Sequence, residues 1–366
     1  MLTPEELSRY GRQLVLSEMG VAGQERLRRS RALVVGAGGL GSPAALYLAA
    51  AGVGTIGIID DDVVEVSNLH RQIAHVTGDV GRDKTASASD SIKRLNPHVI
   101  VKAHHQRLTA RNADSLFQDY DLIVDGSDNY QTRYAVNDAS ARTGKPWVYG
   151  SVERFSGQVS VFGMPTGPCY RCIFPEPPAP RSTPSCEEIG VLGAVPGVVG
   201  SLQAVEALKV ILGIGEPLVG RLLQLDLEHA NVHIVRFERR ADCETCKRQP
   251  ESIPEHRPLE VADSDIEPAQ LARRINEDGS LLILDIREPW EWSVGRIGEP
   301  RLLPMGELEE RVDSLDRSLE LIVYCHHGTR SSVAAEWLRA RGFRARNLTG
   351  GIDRWSREID PSVPRY

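Results

Sequence analysis

Gly36-Ala37-Gly38-Gly39-Leu40-Gly41 fits the pattern G-x-G-x-x-G and stands between the apolar run "ALVV" and a small-residue stretch with helical spacing. Backbone N–H groups in such a turn approach phosphate closely, and the start of the following helix favours negative charge. Asp60 ends the next apolar run, where an acid that binds ribose is expected. Taken alone, the turn and the acid favour NAD over ATP. The residues that follow do not suit hydride transfer. "EVSNLHRQ" places Asn68, Arg71 and Gln72 just past the acidic strand end, Lys84 opens a helix, and "DGSDN" puts Asp128 and Asn129 after another strand. In a doubly wound sheet all of these lie at the carboxyl edge, where ligands bind. Two cations and a carboxylate around one phosphate site suit a triphosphate with Mg²⁺, because Arg71 and Lys84 neutralise charge on departing phosphates and Asp128 holds the metal. No Walker A sequence occurs.

The six cysteines divide into three kinds. Cys169-x-x-Cys172 and Cys243-x-x-Cys246 have zinc spacing and suggest a closed site of four thiolates; a redox pair is the competing reading, but neither pair is expected at the start of a helix after a strand. Cys186 lies alone in "STPSCEEIG", beside Glu187 and Glu188, which raise a thiol pKa and argue against a strong nucleophile; from its residues it reads as a buried hydrophobe or an incidental loop thiol. Cys325 follows the buried strand "LELIVY" and opens "CHHGTRS", which runs into a helix. A loop around sulfur that ends at a helix start directs N–H dipoles at an anion, and Arg330, with His326 or His327, adds positive charge. A thiolate or persulfide is therefore expected there.

These residues need a scaffold. Apolar runs at "ALVV", "TIGIID", "VIVKA", "DLIVD" and "PWVYG" alternate with helical stretches such as Lys84 to Leu95 and Gln131 to Ala141, which predicts a parallel sheet covered by helices. Past residue 150, "GQVSVFGM" and "RLLQLDLEHANVHIVRF" predict antiparallel strands, with a helix from about Gly197 to Leu212 between them. Lys247 to about Ile253 begins a polar, proline-containing linker, and a new α/β pattern follows, with "LLILDI" and "LELIVYC" as strands and Ser331 to Arg341 as a helix. The fold expected is a Rossmann-like doubly wound α/β sheet with an antiparallel, zinc-clipped extension, then a small α/β domain. The boundaries are 1–246, a linker at 247–259, and 260–366.

The motifs "RYGRQ", "GAGGLG", "DDDVVEVSNLHRQ", "GRDK", "DGSDN" and "CEEIGVLGAVPGVVGSLQAVEALK" resemble those of the ubiquitin-activating-like adenylyltransferases, in particular the bacterial activators of molybdopterin and thiamine sulfur carriers. The resemblance implies that Gly39, Asp60, Ser67, Asn68, Leu69, His70, Arg71, Lys84, Asp128 and Asn129 bind ATP. It further implies that Arg12 reaches the site of a neighbouring subunit in a homodimer, that the two cysteine pairs hold structural Zn²⁺, and that Cys186 forms a covalent intermediate with the carrier. "LDIREPWEW", "CHHGTRS" and "NLTGGIDRWSREIDPSVPRY" resemble rhodanese domains, with His326 where Arg or Lys is common and "GRIGEPRLLPM" as a degraded form of the usual flank.

Together the two resemblances imply an enzyme that adenylates a small ubiquitin-fold sulfur carrier ending in Gly-Gly. The enzyme would then pass it persulfide sulfur from a donor such as a cysteine desulfurase or thiosulfate. A nicotinamide oxidoreductase with a fused sulfur domain is the alternative, and a non-catalytic scaffold is a third. With 43 basic and 50 acidic residues, and a densest basic cluster (Arg26, Arg28, Arg29, Arg31) without interleaved aromatics, nucleic acid is not an expected partner. "MLTPEELSRYGRQ" has neither a basic start nor an apolar core, so a cytoplasmic protein without a signal peptide is expected. The apolar stretch Leu192 to Gly215 is broken by Pro196, Glu206 and Lys209 and reads as a core helix rather than a membrane span.

Overall fold

The computed structural model describes residues 2–177, 190–248, 265–275 and 281–364. The chain divides into two compact units, Arg26–His256 and a smaller one that combines Met1–Glu25 with Arg257–Tyr366. Cys186, and the expected linker beyond Arg248, lie outside the described residues.

The larger unit is built on an eight-stranded sheet in the order β3-β2-β1-β4-β5-β6-β7-β8. Its strands are β1 (Arg31–Val35), β2 (Thr55–Asp60), β3 (Ile100–His105), β4 (Leu122–Asp125), β5 (Trp147–Glu153), β6 (Ser156–Phe162), β7 (Arg221–Asp226) and β8 (Asn231–Arg236). Strands β1 to β5 pair in parallel, and β5 to β8 in antiparallel fashion. β4 is buried along its whole length and β1 after its first residue, as the continuous apolar runs require when helices cover both faces of a sheet. The chain leaves β1 toward β2 and β3, then returns to place β4 on the other flank of β1. The loops after β1 and β4 therefore open side by side at the carboxyl edge, which is where a doubly wound sheet binds its ligand.

The helix Gly41–Ala51 is nearly all small and apolar, so it is buried on most sides and packs against the helix Ala194–Leu212. The latter starts three residues before the predicted Gly197, since Pro196 is tolerated in a first turn. Among the described residues it is the one helix long and apolar enough to cross a membrane, and more than half of it is buried within the protein. Below β4 to β6 an aromatic core of Trp147, Tyr149, Phe162 and Tyr170 fills the space, with ring centroids 5.1–6.2 Å apart.

The smaller unit holds a five-stranded parallel sheet in the order β11-β10-β12-β13-β9, formed by β9 (Asp265–Ile266), β10 (Leu281–Asp285), β11 (Arg301–Leu302), β12 (Glu320–Tyr324) and β13 (Arg344–Leu348). Along β12, Leu321 and Val323 enter one apolar cluster while Ile322 and Tyr324 enter another, as alternation across a strand dictates. The N-terminal helix Pro4–Leu14 starts at a capping box between Thr3 and Glu6. Its Tyr10 and Leu14 pack with Leu2 and Val333, so these first residues join the C-terminal unit.

The glycine turn makes a test of the fold. A Cβ at Gly41 would lie 1.8 Å from the carbonyl oxygen of Gly36, whereas one at Gly38 would meet nothing closer than Gln72 Nε2 at 3.8 Å. Gly41→Ala is expected to destabilise the larger unit by about 2 kcal/mol or more, and Gly38→Ala to unfold like the wild type. Superimposable thermal melts of the two variants would show that the turn is not packed this closely.

Candidate active sites and metal centre

The first site lies where the glycine turn, the ends of β2 and β3, and the loop after β4 converge on a cavity of about 460 Å³. Gly36, Gly38, Gly39, Asp60, Arg71, Gln72, Lys84, Asp128 and Asn129 line it. Gly41 sits behind the turn, against Gly36. The Asp60 carboxylate accepts the N–H of Ala37 at 2.7 Å and of Asp62 at 2.8 Å. Burial pushes its pKa up, against these N–H groups and the Lys84 charge, which pull it down. Lys84 is buried at the start of its helix and reaches Asp62 at 2.9 Å, so its ammonium is positioned beside the phosphate turn.

Ser67, Asn68, Leu69 and His70 form the turn that aims Arg71. Asn68 Oδ1 accepts the Glu65 N–H, Arg71 Nη1 donates to the Ser67 carbonyl at 3.0 Å, and the same nitrogen is 2.8 Å from His70 Nε2. Asn129 caps the helix Tyr130–Thr143 by accepting the Thr132 N–H, which leaves exposed Asp128 at the cavity rim.

Two further cations line the cavity and were missing from the sequence-based set. Arg107 stands two residues past β3 and pairs with Asp61 at 3.1 Å; the strand-end rule that found Asp128 would have found it too. Arg133 is buried in the helix Tyr130–Thr143, with its guanidinium 5.3 Å from the Tyr130 ring and 5.5 Å from the Tyr149 ring. No motif marks that position, because only packing brings it to the cavity.

The four cysteines of the two pairs are buried together. Their sulfur contacts are 3.9 Å for Cys169 to Cys172, 3.6 Å for Cys169 to Cys243 and 3.4 Å for Cys172 to Cys246. Four thiolates around a tetrahedral zinc would stand roughly 3.8 Å apart, so the cluster fits that ion. Hydrogen bonds from Cys169 and Cys172 push the Cys246 thiol down to about 5, while burial pushes Cys172 up to about 11. One detail departs from the expectation that neither pair opens a helix. Cys169 is the N-cap of the one-turn helix Tyr170–Ile173. Its thiol is nonetheless pushed up by its hydrogen bond with Cys246 and by burial, so the cap does not make it a reactive nucleophile.

The sulfur site is at the end of β12. Cys325 is buried, and its sulfur lies 3.4 Å from Ser331 Oγ, which donates to Asn347 Oδ1 at 2.7 Å. Gly328 takes a positive φ of 88° and a Cβ there would be 2.7 Å from the Gly350 nitrogen, so the loop can wrap tightly before the helix Thr329–Ala340. The positive charge expected here is shared, since Arg330 interacts with Cys325 as well as with Glu291. Arg330 forms a two-pronged pair with Glu291 at 2.9 and 2.7 Å, and burial lowers the pKa of His326. Arg12 lies in this unit and lines, with Trp290, Met305 and Trp337, the cavity onto which Cys325 opens.

Comparison with known proteins agrees with this geometry. Residues 10–245 match the ThiF family model and residues 267–358 match the rhodanese-like domain. The chain belongs to the ThiF family. It is 43% identical, over its full length and 96% of the relative, to a probable adenylyltransferase/sulfurtransferase MoeZ of Mycobacterium tuberculosis. It is 39% identical, again over its full length and 82% of the relative, to the maize adenylyltransferase and sulfurtransferase MOCS3-2. A sulfur carrier protein adenylyltransferase of Thermus thermophilus is 53% identical and matches 68% of this chain and 93% of its own. The solved structure of E. coli MccB with ATP shares the fold at a TM-score of 0.52 and 21% identity, over 61% of this chain and 68% of that one. The ThiF domain thus carries the phosphate turn and the cysteine cluster, and the rhodanese-like domain carries Cys325.

Zinc should be part of the ThiF domain's folded state. Cys243→Ser is expected to reduce bound zinc from about one equivalent to a small fraction and to lower the melting temperature. Full stability in a protein that contains no zinc by elemental analysis would refute the cluster's role.

Proposed function

We propose that the ThiF domain adenylates the C-terminal glycine of a small ubiquitin-fold sulfur carrier and that Cys325 then supplies the sulfur that turns it into a thiocarboxylate. The observation that carries this reading is the convergence of Arg71, Lys84 and Asp128 with the glycine turn on one cavity. A nicotinamide enzyme has no use for that charge set. Nothing found here supports the oxidoreductase alternative.

A carboxylate is a poor electrophile, and adenylation makes it a good one. The carrier carboxylate attacks the α-phosphorus of ATP, pyrophosphate departs, and Arg71 and Lys84 stabilise the charge it carries away. Asp128 and the phosphate oxygens would hold Mg²⁺, which supplies further charge neutralisation when bound. The terminal sulfur of a Cys325 persulfide attacks the acyl carbon and AMP leaves, which gives an acyl disulfide. The Cys186 thiolate then attacks the Cys325 sulfur, releases the thiocarboxylate and leaves a Cys186–Cys325 disulfide that an external thiol reduces. Covalent linkage of the two domains raises the effective concentration of Cys325 without a demand for affinity. Arg12 completes the ATP site of a second copy in a cytoplasmic homodimer, and a cysteine desulfurase or thiosulfate loads Cys325. The carrier is supported by the name of one relative, and the roles of Arg12 and Cys186 and the choice of donor by the family resemblance alone.

The two chemistries should separate by mutation. Lys84→Ala is expected to lower carrier-dependent ATP–pyrophosphate exchange about 100-fold and to leave thiosulfate:cyanide sulfur transfer intact, while Cys325→Ala does the reverse. Loss of exchange in a folded Cys325→Ala protein would overturn this division of labour.

A further inference from the structure

We infer that His75 is a positioning residue for ATP, a buried bridge between the glycine turn and the helix that carries Lys84. This rests on the reading of the larger cavity as the ATP site. The peptide of Ala37, inside the glycine turn, is held at both ends. Its N–H donates to Asp60 at 2.7 Å, and its carbonyl accepts from Ser42 Oγ at 3.1 Å and lies 3.0 Å from His75 Nε2. The other ring nitrogen of His75 is 2.8 Å from Ser87 Oγ, three residues along the helix from Lys84. His75 is itself buried, so both contacts are shielded from water. Each is correspondingly costly to leave unmade.

Proton accounting fixes how the bridge works. A carbonyl only accepts, so Nε2 carries a proton and donates to Ala37. Burial, opposed by the Ala37 contact, depresses the His75 pKa, and the charge of Lys84 depresses it further, while Asp79 and Asp60 act the other way. The Ser87 hydroxyl donates to Asp79 Oδ2 at 2.8 Å, and Nδ1 of the ring meets the same Ser87 oxygen at 2.8 Å. Asp79 also accepts the Val76 N–H and the Arg82 guanidinium. The ring thus ties the orientation of one peptide of the glycine turn to the helix that holds the lysine.

Removal of the bridge should weaken ATP binding and leave carrier recognition alone. In full-length protein, His75→Phe keeps the ring volume and loses both nitrogens, and it is expected to raise KM for ATP in pyrophosphate exchange about tenfold, a difference of about 1.4 kcal/mol. KM for the carrier and thiosulfate:cyanide sulfur transfer should not move. His75→Gln places an amide N–H near Nε2 and should restore KM for ATP to within about threefold of the wild type. A His75→Phe protein with wild-type KM for ATP, or a His75→Gln protein as impaired as His75→Phe at equal melting temperature, would overturn the bridge. Wild-type protein without exchange for any carrier would instead overturn the ATP reading, and the bridge with it.

Discussion

The larger unit depends on one close approach of backbone to backbone. Gly36, Gly41 and Gly126 meet where the loops after β1 and β4 lie side by side, and a Cβ at Gly126 would be 2.8 Å from the Gly41 nitrogen. Because no side chain intervenes, the phosphate turn and the loop that carries Asp128 share one floor. The charged groups that line the larger unit's cavity are placed relative to that floor. Asp60 holds the turn through the Ala37 N–H, Lys84 reaches toward it from the next helix, and Arg71 comes from the turn after β2.

Positive charge is arranged differently in the two units. Around the larger unit's cavity, Lys84 and Arg107 face exposed or half-exposed partners, Asp62 and Asp61, so these pairs are open to competition from solvent and anions. In the rhodanese-like domain the charges are committed to structure. Arg287 and Asp285 pair with no solvent exposure, and Tyr324 donates to the same carboxylate at 2.7 Å. Arg330 is held by Glu291. A buried pair of that kind fixes geometry more than it adds stability, since desolvation offsets much of the attraction. The sulfur of Cys325 therefore meets an ordered loop, the start of a helix and the Arg330 guanidinium, which it shares with Glu291.

The legible part of this protein was the part written in local rules. The strand-turn-helix of residues 34 to 51, the Lys84–Leu95 helix and the antiparallel strands after residue 150 follow from periodicity and glycine placement, and the structure has them within a few residues. Zinc spacing alone proposed a four-thiolate site, and the four sulfurs do gather. The helix start at Cys169 was not legible, because a single turn of helix leaves no periodic trace.

By itself the sequence marked residues whose types suit chemistry and the edge of the sheet on which they gather, since the carboxyl edge of a doubly wound sheet collects them whatever the details of packing. Tertiary structure alone decided which groups meet across long separations in the chain. It brought Arg133 to the cavity wall from a helix interior, seated His75 between Ala37 and Ser87, and neutralised Arg330 with Glu291. Those contacts depend on side chains buried together, and burial depends on which surfaces pack, a property of the whole fold that no window of residues contains.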